Sequence, residues 1–115
     1  MARATIEFKP RVMVAGERAI GPGKADLLEL IAETGSISAA ARRMNMSYSR
    51  AWQLVDVMNQ AFKKPLVATA TGGSRGGGAR ITEQGRVVLA LYRRMYDELA
   101  RDAESYRAAF EKLLH

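Results

Sequence analysis

Two short helical segments on either side of a tight turn constrain this fold more than any other feature of the sequence. The first covers 37–44, is rich in alanine and follows Ser36; the second covers 48–62 and follows Ser47. A serine hydroxyl just before a helix accepts a hydrogen bond from an otherwise free amide of the first turn, so each serine predicts a helix N-terminus. Two helices joined by a turn of a few residues are typical of the helix-turn-helix arrangement, which we place at 36–62.

The segments around this pair predict two small strand pairs and two further helices. Apolar and polar residues alternate over 5–14, as in a strand, although Pro10 restricts it to a sheet edge or to two short pieces. A glycine-rich loop at 72–78 predicts a hairpin directly after the helix pair, so the fold class is mainly α with small β-hairpins, a winged helix-turn-helix. The expected divisions are a strand pair at 5–20, a three-helix core at 24–62, a wing at 66–81 and a last helix at 83–115.

Three local signals refine this scheme. Residues 21–23 break the pattern, so we expect the first helix to begin near Lys24, with Asp26 at its positive N-terminal end. Gly85 lies in the first turn of the last helix and should weaken it. Trp52 is expected to be a core or subunit-contact residue rather than one that stacks on a base.

Composition excludes several classes of function. The chain has 115 residues, which suits one domain over 1–115, no cysteine, and one histidine at its last position. No set of nucleophile, base and metal ligands can be assembled, so we expect no enzyme activity, no cofactor and no metal site. No apolar run approaches the roughly 20 residues of a membrane helix and no signal segment is present. We therefore expect a cytoplasmic protein that has no membrane partner.

All of the excess positive charge lies in one stretch of the sequence. The formal net charge is +6. Seven basic residues and one acidic residue, Asp56, lie within 34–82, whereas the rest of the chain is balanced. Most of the basic residues are arginines, which suit two-pronged contacts with phosphate and guanine. Such a stretch indicates a polyanionic partner, although a solvated basic face without a partner explains the charge equally well.

On a helix-turn-helix, these basic residues favour double-stranded DNA as the partner. The N-terminal residues of the second helix reach base edges in the major groove, where Arg50 can donate two bonds to guanine and Gln53 can pair with adenine. The short helix would face the DNA backbone, and the wing tip would lie over a phosphate or in the minor groove. The candidate DNA-binding residues are Ser47, Tyr48, Ser49, Arg50, Gln53, Arg42, Arg43, Ser74, Arg75 and Arg80.

The last helix has a near-heptad apolar seam that predicts the pairing of two copies. About 30 residues at a rise of 1.5 Å span about 45 Å, which is longer than a small domain needs for its own core. The alternative is that the helix folds back on its own domain. A symmetric dimer would place its two recognition helices about one turn of DNA apart, or a multiple of it, and would require a palindromic site. The candidate interface residues are Val88, Tyr92, Met95, Leu99, Tyr106 and Phe110.

Four segments together resemble a known family: ETGSISAAA at 33–41, MSYSRAW at 46–52, MN at 58–59 and ATGGSRGGGA at 70–79. They are similar to the N-terminal DNA-binding domain of the molybdate-responsive ModE regulators, and the helix pair alone is also similar to LysR-type regulators. The resemblance implies a dimeric regulator of molybdate or metal-oxyanion uptake genes, or of related genes. ModE proteins have further C-terminal domains that bind molybdate, and a chain of this length has no room for them. We therefore expect a stand-alone form that does not itself bind molybdate.

Two other classes of function stay open. A non-specific architectural or RNA-binding protein would use the same fold for phosphate contacts and would discriminate little between base sequences. A protein-interaction module would use its hairpins and last helix on a partner protein, and would tolerate the replacement of Arg50 and Arg75. Strong discrimination between duplex sequences would therefore exclude the non-specific protein. Loss of function on replacement of Arg50 and Arg75 would exclude the protein-interaction module.

Overall fold

Four helices and two strand pairs follow one another in the computed structural model, which describes residues 3–70 and 78–115. The elements are β1 (Val12–Val14), β2 (Glu17–Ile20), α1 (Pro22–Thr34), α2 (Ile37–Arg43), α3 (Tyr48–Ala61), β3 (Val67–Thr69), β4 (Ala79–Ile81) and α4 (Glu83–Glu111). β1 pairs with β2 and β3 with β4, both antiparallel, in two separate sheets. The predicted fold class, mainly α with small β-hairpins, is confirmed. No helix of the described residues is long and apolar enough to cross a membrane.

Side-chain caps set the N-termini of α2, α3 and α4, the last through Thr82, whose hydroxyl accepts a hydrogen bond from the amide of Gly85 at 3.0 Å. The Ser36 hydroxyl accepts a hydrogen bond from the amide of Ala39 at 3.1 Å, and the Ser47 hydroxyl accepts one from the amide of Arg50 at 3.0 Å. Both predicted caps are therefore confirmed. α1 ends at Gly35, whose φ of 71° lies in the left-handed region that glycine adopts without strain.

The beginning of the first helix differs from the prediction. α1 begins at Pro22 rather than near Lys24, because proline fits the first helical position, where no amide donor is needed. Asp26 consequently lies beyond the first turn, and its carboxylate pairs with Arg93 of α4 at 2.8 Å. The preceding hairpin turns at Ala15 and Gly16, both with positive φ, as a tight two-residue hairpin turn requires.

The N-terminal segment 4–10 is not the strand that its alternation predicts. It lies antiparallel along α4 instead, because Pro10 cannot donate to a ladder and the aromatic side chain of the segment packs on the helix. Three contacts fix the segment: Ala4 N to Glu111 Oε2 at 2.8 Å, the Phe8 and Tyr96 ring centroids at 4.9 Å, and Tyr92 Oη to Pro10 O at 2.9 Å. Only the second half of the predicted strand, Val12–Val14, pairs with β2.

One apolar core joins all four helices and both wing strands. Its largest fully buried side chains are Leu27, Leu28, Ile31, Met58, Leu66 and Val55. Small side chains at Ala40 and Ala51 are fully buried between α2 and α3, which lets these two helices pack closely. The core therefore holds the short helix and the following helix in one fixed arrangement.

The two halves of α4 have different roles. Val88 and Tyr92 are buried in the chain's own core, and Met95 packs against that core, so these three predicted interface residues are largely occupied within the subunit. The other three, Leu99, Tyr106 and Phe110, are exposed, with Tyr106 and Phe110 at 66% and 60%. The 29-residue helix accordingly extends well beyond the core, and the molecule measures 60 Å along its longest axis.

Gly85 is a requirement of the fold rather than the expected weak point. A Cβ at this position would lie 2.3 Å from the main-chain oxygen of Leu66, far inside van der Waals contact. The first turn of α4 can therefore pass this close to the main chain of Leu66 only because residue 85 has no side chain.

We expect Gly85→Ala to lower the free energy of unfolding by about 1–3 kcal/mol, because the methyl group must displace buried main chain. Gly23→Ala is the matched control, since a Cβ at Gly23 in α1 meets nothing within 4 Å. That control should raise the free energy of unfolding by about 0.4–1 kcal/mol, because alanine lowers the conformational entropy of the unfolded chain. Urea denaturation followed by circular dichroism measures both, and stabilisation by both substitutions would contradict the close approach.

Candidate nucleic-acid interface

The outward face of α3 is the geometric centre of the candidate site. Ala51, Val55 and Met58 are buried, and at 100° per residue Ser49 and Gln53 lie on the opposite side of the helix. Both are exposed. The first two turns of α3 therefore present short polar side chains to solvent on a helix that is firmly anchored on its other side.

The residues at the start of α3 are all accessible. Ser47, Tyr48 and Arg50 are exposed, although the Ser47 hydroxyl already accepts the capping hydrogen bond. Trp52 is 36% exposed and meets Tyr48 edge-on, with ring centroids 6.2 Å apart. A core position for Trp52 is therefore wrong, because it lies beside the buried stripe of α3 rather than within it, whereas the other expectation, a subunit contact, stays a prediction. The two aromatic rings form one flank of the outward face.

Arg50 lies on the other flank of α3, beside a groove of about 670 Å³ between the N-terminal hairpin and the helices. Leu54 and Val57 of α3 share that wall with Arg50. The other charged side chains that line the groove are Lys9, Arg11, Glu17, Arg18 and Lys24. We call this cavity the basic groove. Its basic residues are Lys9, Arg11, Arg18, Lys24 and Arg50, and its one acidic residue is Glu17.

The surroundings of the Lys24 ammonium group reflect the positive charge of the basic groove. This ammonium group donates a hydrogen bond to the main-chain oxygen of Arg18, which draws the start of α1 onto β2. Burial lowers the pKa of Lys24 below its usual value, and the positive charges of Arg18 and Arg50 lower it further. The groove thus concentrates uncompensated positive charge beside the outward face of α3.

The remaining predicted residues belong to other elements than α3. Arg42 and Arg43 are exposed in the last turn of α2, where Arg43 forms a surface ion pair with Glu33 at 3.4 Å. Arg80 is exposed on β4 between the buried Ala79 and Ile81. Ser74 and Arg75, predicted at the wing tip, lie outside the described residues.

Asn59 fixes the base of the wing to α3, a role that the sequence analysis missed. Its side-chain oxygen accepts hydrogen bonds from the amides of Leu66 and Val67 at 2.8 and 3.1 Å, and its amide nitrogen donates to Val67 O at 3.1 Å. On the other side, the amide of Ala79 donates to Gly35 O at 2.9 Å, which ties β4 to the end of α1. The hairpin base therefore has a fixed position relative to α3.

The basic groove also escaped the sequence analysis. Lys9, Arg11, Arg18 and Lys24 come from the part of the chain whose charges balance in the sequence. Their partners in that balance are mostly elsewhere in the fold: Asp26 and Glu29 pair with Arg93, and Glu104 and Glu111 pair with Arg107. A charge count along the chain carried no signal for this convergence, which depends on tertiary packing.

A family model shows to which protein family the chain belongs. The model for bacterial regulatory helix-turn-helix proteins of the lysR family matches residues 24–86, which is more than half of the chain. The chain belongs to this family. The matched range of this lysR-family chain covers most of α1, the helix pair, the wing and the first turn of α4, and leaves out the N-terminal hairpin.

Curated relatives confirm the resemblance to ModE regulators. The molybdenum-pterin-binding protein MopA of Rhodobacter capsulatus is 45% identical over 76 residues, which is 66% of this chain and 29% of that protein. The molybdenum transport protein ModE of Azotobacter vinelandii is 37% identical over 95 residues, 83% of this chain and 33% of that protein. The DNA-binding transcriptional dual regulator ModE of Escherichia coli (strain K12) is 44% identical over 71 residues, 62% and 27% of the two chains. This lysR-family chain thus spans about a third or less of these relatives.

Solved structures confirm the fold. The DNA-binding domain of CbnR in complex with DNA superimposes with a TM-score of 0.59 at 23% identity, covering 76% of this chain and 94% of that one. Full-length LysG from Corynebacterium glutamicum with bound effector Arg gives a TM-score of 0.59 at 24% identity, covering 81% and 30%. The winged helix-turn-helix architecture is therefore shared with these regulators.

We expect Asn59→Ala to lower the free energy of unfolding by about 2–3 kcal/mol, because the buried amides of Leu66 and Val67 lose their acceptor. Gln60→Ala is the matched control, since Gln60 is the exposed neighbour and bonds only to Asp56 within the described residues. It should change stability by about 0.5 kcal/mol or less. Equal losses in chemical denaturation would show that Asn59 does not anchor the wing.

Proposed function

We propose that the chain is a transcription regulator that binds a palindromic duplex DNA site in a sequence-specific way as a dimer. One observation carries the proposal: the N-terminal half of α3 presents an exposed polar face directly opposite its buried stripe. A helix held in this way can enter the major groove with its first turns against base edges. The CbnR complex and the name of the Escherichia coli relative, a DNA-binding dual regulator, support this use of the fold.

Within this proposal, Ser49 and Gln53 contact bases. They lie on the outward face of α3, and a glutamine amide can make two hydrogen bonds to adenine. Ser47 and Tyr48 flank them at the beginning of the helix and can donate to phosphates. Arg50 lies toward the basic groove, so its guanidinium can contact either guanine or the adjoining backbone.

Phosphate contacts come from the elements on both sides of α3. Arg42 and Arg43 project from the last turn of α2, and the ion pair of Arg43 with Glu33 is exposed and therefore easily exchanged for a phosphate. Arg80 lies on the solvent side of the wing. Ser74 and Arg75 are proposed as wing contacts from the sequence alone.

The exposed half of α4 pairs two copies of the chain. Leu99, Tyr106 and Phe110 lie on one side of the helix, and Leu113 continues this side just beyond its end. The N-terminal segment 4–10 occupies a different side, so this apolar band is not covered within the subunit. A two-fold pairing through the band would relate two copies of α3 by symmetry, as a palindromic site requires.

The regulated genes are proposed from the relatives. Two relatives have names that refer to molybdenum transport or molybdenum-pterin binding, and their similarity to this chain covers its helix-turn-helix region. We therefore propose that the target genes concern molybdate or another metal oxyanion. The proposed role is binding, not catalysis.

We expect Gln53→Ala to reduce the preference for the selected duplex by about 1–3 kcal/mol per half-site, roughly 5- to 150-fold for each, because one base in each half of the palindrome loses its partner. Binding to a scrambled duplex should stay unchanged. The measurement is fluorescence anisotropy on a duplex enriched from a random library, with the scrambled sequence in parallel. Gln60→Ala, on the same side of α3 but two turns further on, should retain the wild-type preference. Wild-type binding of equal strength to every duplex would contradict sequence-specific recognition.

We expect the wild-type chain to sediment as a dimer at micromolar concentration and Tyr106→Glu/Phe110→Glu to sediment as a monomer, because charges would be buried in an apolar interface. The matched control is Arg101→Glu, which changes charge on a different side of the exposed half of α4. It should stay dimeric in analytical ultracentrifugation. A dimer in both variants would place the interface elsewhere.

A further inference from the structure

The basic groove is a second charged surface beside α3 that the sequence pattern does not reveal. Its cations come from four parts of the chain: the N-terminal segment, β2, the start of α1 and α3. Most of it lies outside the range matched by the lysR family model, which begins at residue 24. It is therefore a feature of this chain that the shared helix-turn-helix does not account for.

We propose that the basic groove binds the phosphates of the DNA strand that borders the major groove occupied by α3. This inference rests on the proposed function, since it assigns a role to the surface next to the recognition helix. The N-terminal hairpin then acts as a second wing on the side of α3 toward which Arg50 lies.

Geometry favours a phosphate chain over a base edge. Arg50 adjoins both surfaces, because it lies on the flank of α3, about 100° around the helix from Ser49, and lines the groove with Lys24. DNA held against the outward face of α3 must therefore pass beside the groove. The cations are spread over several elements rather than gathered around one point, which matches successive phosphates along a strand better than a single small anion.

Electrostatics favours the same occupant. Five cations and one acidic residue, Glu17, line the groove, and Arg18 and Arg50 repel the ammonium group of Lys24, whose pKa is lowered mainly by burial. A polyanion in the groove removes that repulsion and releases its own condensed counterions, so binding there should depend steeply on salt. Because phosphates are the same in every sequence, the groove adds affinity without adding base preference.

The test removes two exposed cations of the groove with Arg11→Gln/Arg18→Gln. The matched control, Arg101→Gln/Lys112→Gln, removes the same charge from exposed positions on and next to the far half of α4. Binding to the selected and the scrambled duplex is measured by anisotropy between 50 and 300 mM KCl. Near-identical thermal melting curves confirm that the variants are folded.

We expect the slope of log K against log salt to decrease by about 2 per subunit in the groove variant, and therefore by about 4 for the proposed dimer, at about 0.9 per lost phosphate contact. Affinity of the dimer should drop by the same factor on both duplexes, roughly 1,000-fold at 0.15 M salt by the same counterion release. The control should retain the wild-type slope.

Four results would overturn the proposal in distinguishable ways. Equal losses in the groove variant and the control, with wild-type sequence preference intact, would reject the groove and leave the proposed function in place. A loss confined to the selected duplex would assign these arginines to bases. A wild-type chain that binds neither duplex would reject both proposals. Saturable binding of pyrophosphate alone at micromolar concentration would reassign the groove to a small anion.

Discussion

The main chain of Leu66 is the junction on which the rest of the structure depends. Its amide donates to Asn59 of α3, its carbonyl oxygen accepts from the amide of Thr82, and Gly85 of α4 crosses directly over that oxygen. Its side chain is fully buried. Recognition helix, wing and last helix thus meet at one residue, and no two of them can shift without breaking a buried hydrogen bond.

This junction fixes α4 rigidly to the wing and to α3. Its first turns are buried with the wing strands, while its second half lies outside the core with apolar side chains on its surface. Tyr92 and Tyr96 of α4 hold the N-terminal segment, which leads directly into the hairpin that forms the basic groove. A pairing of two α4 helices would therefore set the separation of two copies of α3 and of two grooves together.

Local chemistry predicted the helix pair well, since a capping serine and a buried stripe act within one turn of the chain. Ser36, Ser47 and the stripe of α3 accordingly behave as expected. The start of α1 at Pro22 and the exposure of Trp52 are local misjudgements, whereas the other failures involve distant partners. Alternation over 5–14 fits a segment lying on a helix as well as a strand, and Gly85 has a reason only when Leu66 crosses it. The sum of charges in a sequence window says nothing about which charges are neutralised by pairing after folding.

In the proposed complex, the position of Arg50 separates affinity from specificity on a single helix. Its charged neighbours in the groove are four cations and one acidic residue, Glu17, so the net positive charge there favours an anionic partner. The outward face carries neutral side chains at Ser49 and Gln53, which gain little from bulk electrostatics and depend on exact hydrogen-bond partners. A duplex of any sequence can therefore satisfy the groove, whereas only a matching one satisfies the outward face. Because Arg50, Ser49 and Gln53 all belong to α3, a duplex that binds in the groove would also be aligned with the outward face.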